Sequence, residues 1–225
     1  AISKGIEASV METCDCAGKL HLIPNGVDNE RFANPPKLNV RARFGIAPDD
    51  LVVLTVGNYH LRKGHEDLVR AMPHLLLRHP RTKLVVAGRG SEALVPLIRA
   101  CGVERNVLLV GTLPFPIDLG KGAPEDWLAA LYATTSVYVS AGKESGAEGL
   151  SLALLDALAA GKPVVATRIS GNEDFVEEGS NGHLVDPQRP DQMASALSAI
   201  LDNPDQARAM GQQGQLRVAE LSWNN

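Results

Sequence analysis

Cysteine is scarce in this chain: three in 225 residues, at positions 14, 16 and 101. An odd and sparse count does not build a disulfide framework and favours a reducing compartment. Cys14-x-Cys16 has no matching His or Cys cluster, which argues against a structural zinc site, and the six histidines show no metal-ligand spacing. No metal is expected. Charge of one sign is missing as well. The formal net charge is −4 and the 22 Lys and Arg residues are scattered, so there is no basic stripe for nucleic acid to follow. No apolar run reaches the length of a membrane span, and the N-terminus lacks a signal peptide's charged start and apolar centre. A cytoplasmic setting is expected, with the inner face of the membrane as an alternative. Neither a serine nucleophile elbow nor a Cys–His partnership is present.

What is present is a core and an order of elements. Apolar residues make up 44% of the chain, enough to bury a sizeable interior. Residues 1–23 carry no strong pattern, and Ile23–Phe32 (IPNGVDNERF) reads as turn chemistry that runs on through Asn34-Pro35-Pro36. From Leu51 the pattern becomes regular. Strands are predicted at Leu51–Val56, Lys83–Ala87, Asn106–Val110, Ser136–Ser140, Pro163–Thr167 and Gly182–Val185. Several are continuous Val/Leu runs, as expected where both faces of a parallel sheet are covered. Helices are predicted at Glu66–Arg78, Glu92–Ala100, Glu125–Thr134, Ser151–Ala160, Glu173–Glu178, Gln192–Leu201 and Asp205–Glu220. Strand alternating with helix six times predicts an α/β fold with a doubly wound parallel sheet, Rossmann-like. In such a sheet the ligand sits at the carboxyl ends of the strands, which selects the loops after Val56, Ala87, Val110, Ser140 and Thr167.

The richest of these loops lies in Ala141–Pro163 (AGKESGAEGLSLALLDALAAGKP), where three glycines precede a run from Leu150 to Ala160 whose single charge is Asp156. Strand, glycine-rich loop and helix in that order gather backbone N–H groups and the positive end of a helix dipole, which suits a phosphate. Glu148 and Asp156 read as ligand-facing carboxylates that accept from sugar or ribose hydroxyls. The bland readings are an acid complementing the dipole for Glu148 and a buried, internally bonded acid for Asp156; Glu144 is an alternative acid in the same loop. Lys63 stands before a helix start, where a cation opposes the dipole, so a phosphate contact is a better account of it than an ordinary solvated lysine. Gly88-Arg89-Gly90 resembles part of a dinucleotide fingerprint, but the next strand ends Val110-Gly111-Thr112 with no acid for a nicotinamide ribose. A tight turn, or a wall of a nucleotide site, remains.

IPNGVDNERF, VGNYHLRKG, VVAGRG, VLLVG, EGLSLALLDALAAGKPVVAT and SNGHLVDP, in that order, resemble the C-terminal half of retaining glycosyltransferases of the GT-B type, over Ile23–Trp223. The resemblance implies that residues 1–36 are the tail of a missing N-terminal domain and a linker, and that 37–225 form a nucleotide-sugar-binding domain truncated at its C-terminus. It implies no cofactor beyond the UDP- or GDP-sugar donor, and an acceptor, glycan or lipid-linked, reached through the missing half. Lys63 would contact the diphosphate and Glu148 the donor sugar, both as catalytic residues. Asp156 would hold the ribose, and the amides of Gly149, Leu150, Ser151 and Leu152 would hold sugar and phosphate. Gly57, Asn58, Arg62, Gly88, Gly90 and Thr112 would complete the donor site, with base contacts from the loops after Ala87 and Val110. Two positions depart from the family pattern: Asn58 stands where an Arg is frequent, and Asp156 where the signature has Glu. The implied function is transfer of a hexose with retention to a hydroxyl, without metal. The fragment alone, which begins with Ala1 rather than Met, is expected to transfer little or no sugar. The alternatives are a non-catalytic nucleotide-binding module and half of a sugar-nucleotide 2-epimerase.

Overall fold

Helix α1 (Lys4–Thr13) starts at Ser3, whose hydroxyl accepts from the Ile6 N–H. Asp28 and Asn39 cap α2 (Asn29–Ala33) and α3 (Val40–Phe44) in the same way. The regular α/β alternation follows: β1 (Leu51–Val56), α4 (His65–Leu76), β2 (Thr82–Ala87), α5 (Val95–Ala100), β3 (Val107–Gly111), α6 (Trp127–Thr134), β4 (Val137–Ser140), α7 (Leu152–Ala159), β5 (Val164–Thr167), β6 (Gly182–Val185), α8 (Pro190–Asp202) and α9 (Pro204–Val218). The structure, a computed structural model, describes residues 1–14, 18–23, 25–113, 125–143 and 151–222.

All six strands are parallel, in the order β3-β2-β1-β4-β5-β6. The chain winds outward from β1 to β3 and then returns to the other side of β1 as β4, so the crevice of a doubly wound sheet opens between β1 and β4. Val52, Val53 and Leu54 are completely buried. Val52 and Leu54 pack into the layer formed by α2, α3, α6 and α7, and Val53 into the opposite layer of α4, α5 and α8. That explains a run with no polar alternation. Each such aliphatic side chain contributes about 1.5–3 kcal/mol relative to exposure. Helix α9 packs on α7, and its Val218 reaches the same core as Phe32 of α2.

The helix expected over Glu173–Glu178 does not form; turns run as far as Phe175, and Glu178 makes an isolated bridge to Gly182. Asn181 is the reason. Its side chain accepts from the Glu177 N–H at 2.8 Å and donates to the Phe175 carbonyl at 2.8 Å, taking backbone groups that a helix would use. Among the described residues no helix is long and apolar enough to cross a membrane.

Candidate functional site

Because every strand points the same way, the loops after β1, β2, β3 and β4 meet at one edge. Among the described residues, two clefts lie there. One, lined by Lys63, His65, Ser140, Gly142 and Ser151, sits at the crevice between β1 and β4. The other, of about 150 Å³, is lined by Gly57, Asn58, Gly88, Thr112 and Leu128, and Val56 belongs to both.

Two glycines let the loops close on one another. Gly64, at φ 66°, caps α4, and a Cβ there would lie 1.8 Å from the Ala141 carbonyl oxygen. Gly88, at φ 151°, would place a Cβ 2.0 Å from the Gly57 carbonyl oxygen. Both positions require glycine on contact grounds alone. Lys63 closes a short 3-10 turn, Leu61–Lys63, that begins at His60, whose ring Nδ1 accepts from the Arg62 N–H. The Lys63 stem runs across Gly57, with 3.8 Å between its Cε and a Cβ built there.

Opposite Lys63 stands the head of α7. Ser151 is its N-cap, and the hydroxyl makes no capping bond. The first amides of a helix have no intrahelical acceptor, so this end presents positive charge toward the lysine's cleft. Leu152, the first helical residue, is exposed. Glu148, Gly149 and Leu150, and the alternative acid Glu144, lie outside the described residues.

Asp156 sits on the second turn of α7. Its carboxyl is pushed up to about 7, first by burial, then by the like charges of Asp126 and Asp28, with Arg31 acting against them. Among the described residues no hydrogen bond holds this carboxylate. The Arg31 guanidinium is already committed to Asp126, Nε to Oδ2 at 2.5 Å and Nη2 to Oδ1 at 2.9 Å, in a pair that is 12% and 2% exposed. Asp126 also caps α6 by accepting from the Ala129 N–H. Asp156 therefore keeps its acceptor capacity for something else.

Asn58 does not turn toward the Lys63 cleft. Its Oδ1 accepts from the Arg89 N–H at 3.0 Å while the Tyr59 N–H donates to the Arg89 carbonyl at 2.8 Å, so it ties the loop after β1 to the loop after β2. Gly90 lies beside Tyr59 in this clasp. Arg62 and Arg89 are exposed.

A third tie joins the loop after β1 to the loop after β4. The Lys143 N–H donates to the Arg62 carbonyl at 2.9 Å, and its Nζ lies 3.3 Å from Glu66 Oε2 and 3.9 Å from Asp67 Oδ2. Glu66 also accepts from the Tyr59 hydroxyl at 2.8 Å. Burial pushes the Asp67 carboxyl up, opposed by Lys143 and Arg70. Lys143, Glu66, Asp67, Arg31 and Asp126 were not among the residues singled out from the sequence. The only signals were the charge at 143 beside three glycines and an acid directly before Trp127. Among the described residues no group of three or more His, Cys, Asp or Glu is placed to hold a metal ion.

Lys63 and Ser151 thus line one cleft, whereas Asp156 lines neither cleft and has Arg31, Asp126 and Asp28 as its charged neighbours. Residues 37–217 match the model of the family described as glycosyl transferases group 1. The chain belongs to this family. A GDP-mannose-dependent alpha-(1-6)-phosphatidylinositol monomannoside mannosyltransferase of Mycolicibacterium smegmatis is 34% identical over 203 residues, 87% of this chain and 50% of the relative. The chain thus spans about half the length of this curated relative. A sucrose-phosphate synthase of Thermosynechococcus elongatus superposes with a TM-score of 0.82 at 29% identity, over 100% of this chain and 54% of the other. Anabaena HepE in complex with UDP-glucose superposes with a TM-score of 0.85 at 20% identity, over 98% of this chain and 58% of that one. The six-stranded parallel sheet matches the Rossmann-like half of the GT-B fold.

Proposed function

We propose that this chain is the donor-binding half of a retaining glycosyltransferase that moves a hexose from a nucleoside-diphosphate sugar to a hydroxyl acceptor. The observation that carries the proposal is the juxtaposition of Lys63 and the head of α7 across one cleft; farther along the same helix, Asp156 has no hydrogen-bond donor among the described residues. The diphosphate would lie between Lys63 and Ser151. As the sugar–phosphate bond breaks, negative charge grows on the leaving diphosphate, and a fixed cation with a helix dipole stabilises that charge more than the ground state. Asp156 would accept from the ribose hydroxyls, and the base would occupy the cleft between Gly57, Gly88 and Thr112. Glu148 would orient the donor sugar. In this reading the positive charge comes from the protein itself, and no metal is required. The reaction would run in the cytoplasm or at the inner face of the membrane.

The M. smegmatis relative is GDP-mannose-dependent and the HepE complex holds UDP-glucose, so both guanine and uracil donors are compatible with the family. The acceptor would bind on the half that lies beyond this chain's share of its relatives. One observation favours a second reading, a nucleotide-binding module without transfer: Asn58, where a cation is frequent in the family, is spent on clasping a loop.

Titration calorimetry of the chain with UDP, GDP and ADP separates these readings, followed by the matching sugar nucleotides. The donor-domain reading expects one nucleoside diphosphate to bind, and its sugar nucleotide to bind more tightly. Equal affinity with and without the sugar favours the non-catalytic module, and no binding of any nucleotide refutes both.

A further inference from the structure

At the opposite edge of the sheet, where the strands begin, lies a cavity of about 310 Å³. That is within the range of small-molecule sites. Its walls are largely carbon: Leu51 and Pro163 at the entries to β1 and β5, Ile200 and Leu201 at the end of α8, and Pro204 and Ala207 in the first turn of α9. One cationic side chain is set into this apolar wall. Lys162 donates from Nζ to the Ala133 carbonyl at 2.8 Å, which uses one of its three N–H donors. Among the described residues no carboxylate lies within ion-pair distance of it. Burial lowers its pKa to about 8, so at neutral pH the amine is still mostly charged.

Lys162 is partly buried, and an anion that brings its own apolar surface offsets the cost of a partly desolvated charge that lacks a counter-ion. The rim carries one further ion pair. Arg208 lines the cavity, with Asp205 3.0 Å from its Nη1, and the first turn of the 15-residue α9 adds the positive end of its dipole.

We propose that this cavity binds a small amphipathic carboxylate, its head on Lys162 and its hydrocarbon body against Leu51, Pro163, Ile200 and Leu201. The site is independent of the nucleotide edge. An occupant would bridge the turn between α8 and α9 to the segment that leads into β5, so its binding stabilises the fold.

The test is calorimetry and thermal unfolding of the chain with octanoate and with 1-octanol, which has a similar tail and no charge. One octanoate per chain is expected, with a raised Tm. Binding of octanol, and of octanoate to Lys162→Met, should be at least tenfold weaker. Ala207→Phe fills the cavity from the α9 side without touching the amine and should abolish octanoate binding while its circular dichroism stays native. That variant keeps the test decisive if Lys162→Met fails to fold. Equal binding of octanoate and octanol, undiminished binding to either folded variant, or no octanoate binding to the parent chain would overturn the proposal.

Discussion

Asp156→Asn isolates the most perturbed carboxyl in the candidate site. The Asp156 pKa rises from 3.8 to about 7 on folding, chiefly through burial. Between those two values the native state holds the proton and the unfolded state does not. Stability therefore falls as pH rises through that window and levels off above it. The full shift corresponds to about 4 kcal/mol of destabilisation once the folded carboxyl is ionised. Somewhat less than half of this is already present at pH 5, leaving roughly 2–3 kcal/mol to develop between pH 5 and pH 8. Asparagine has nearly the same shape and never ionises. The stability of the variant minus that of the parent should grow by roughly 2–3 kcal/mol over that interval, as measured by urea unfolding at pH 5, 6.5 and 8. A gap that stays flat with pH, or shrinks, refutes the assigned burial of this carboxyl. The same group links to ligand. In the proposed function ribose hydroxyls donate to the ionised form, so nucleotide binding at pH 6.5 should release protons. Calorimetry in two buffers of different ionisation enthalpy reads that release, and Asp156→Asn should abolish it.

Other substitutions test the ties that shape this edge. Gly64→Ala sets a methyl 1.8 Å from the Ala141 carbonyl oxygen in a left-handed backbone, so a loss of at least about 3 kcal/mol in urea unfolding is expected. Arg31→Ala leaves Asp126 buried without its partner; the expected cost is about 3–5 kcal/mol at pH 7, and it should shrink at acid pH as Asp126 protonates. Lys143→Ala removes the cation between Glu66 and Asp67. About 1–2 kcal/mol of stability should be lost, and nucleotide affinity should fall further than the parallel change Arg70→Ala lowers it.

The sheet was legible because its strands are continuous apolar runs. LVVLTV and TKLVVA leave no polar face, and that alone implies coverage on both sides by helices. The short helices were not legible for the opposite reason. In IPNGVDNERF the turn residues dominate, yet Asp28 caps a single helical turn and Phe32 anchors it in the core. Glu173–Glu178 shows the reverse error, because no periodicity reveals that Asn181, three residues beyond, will claim its backbone groups. At the site, the rule that ligands sit at strand carboxyl ends brought Lys63 and Ser151 together. It also grouped Gly57, Gly88 and Thr112. What it could not give was direction: that Asn58 turns to the neighbouring loop, or that Arg31 and Asp126, 95 residues apart, pair buried and act on Asp156. Such relations are set by packing between layers, which local sequence does not encode.

The central claim is that the carboxyl edge between β1 and β4 holds a nucleoside diphosphate. Backbone amide NMR of the chain, titrated with GDP and with UDP, tests it most directly. The account predicts that one of the two shifts the amides of Gly57–Lys63, Gly88–Gly90, Thr112 and Ser151–Leu152, that Lys63→Ala weakens this response at least tenfold, and that the amides around Lys162 and Ala207 stay still. Saturable shifts centred anywhere else, or none with either nucleotide, would contradict it.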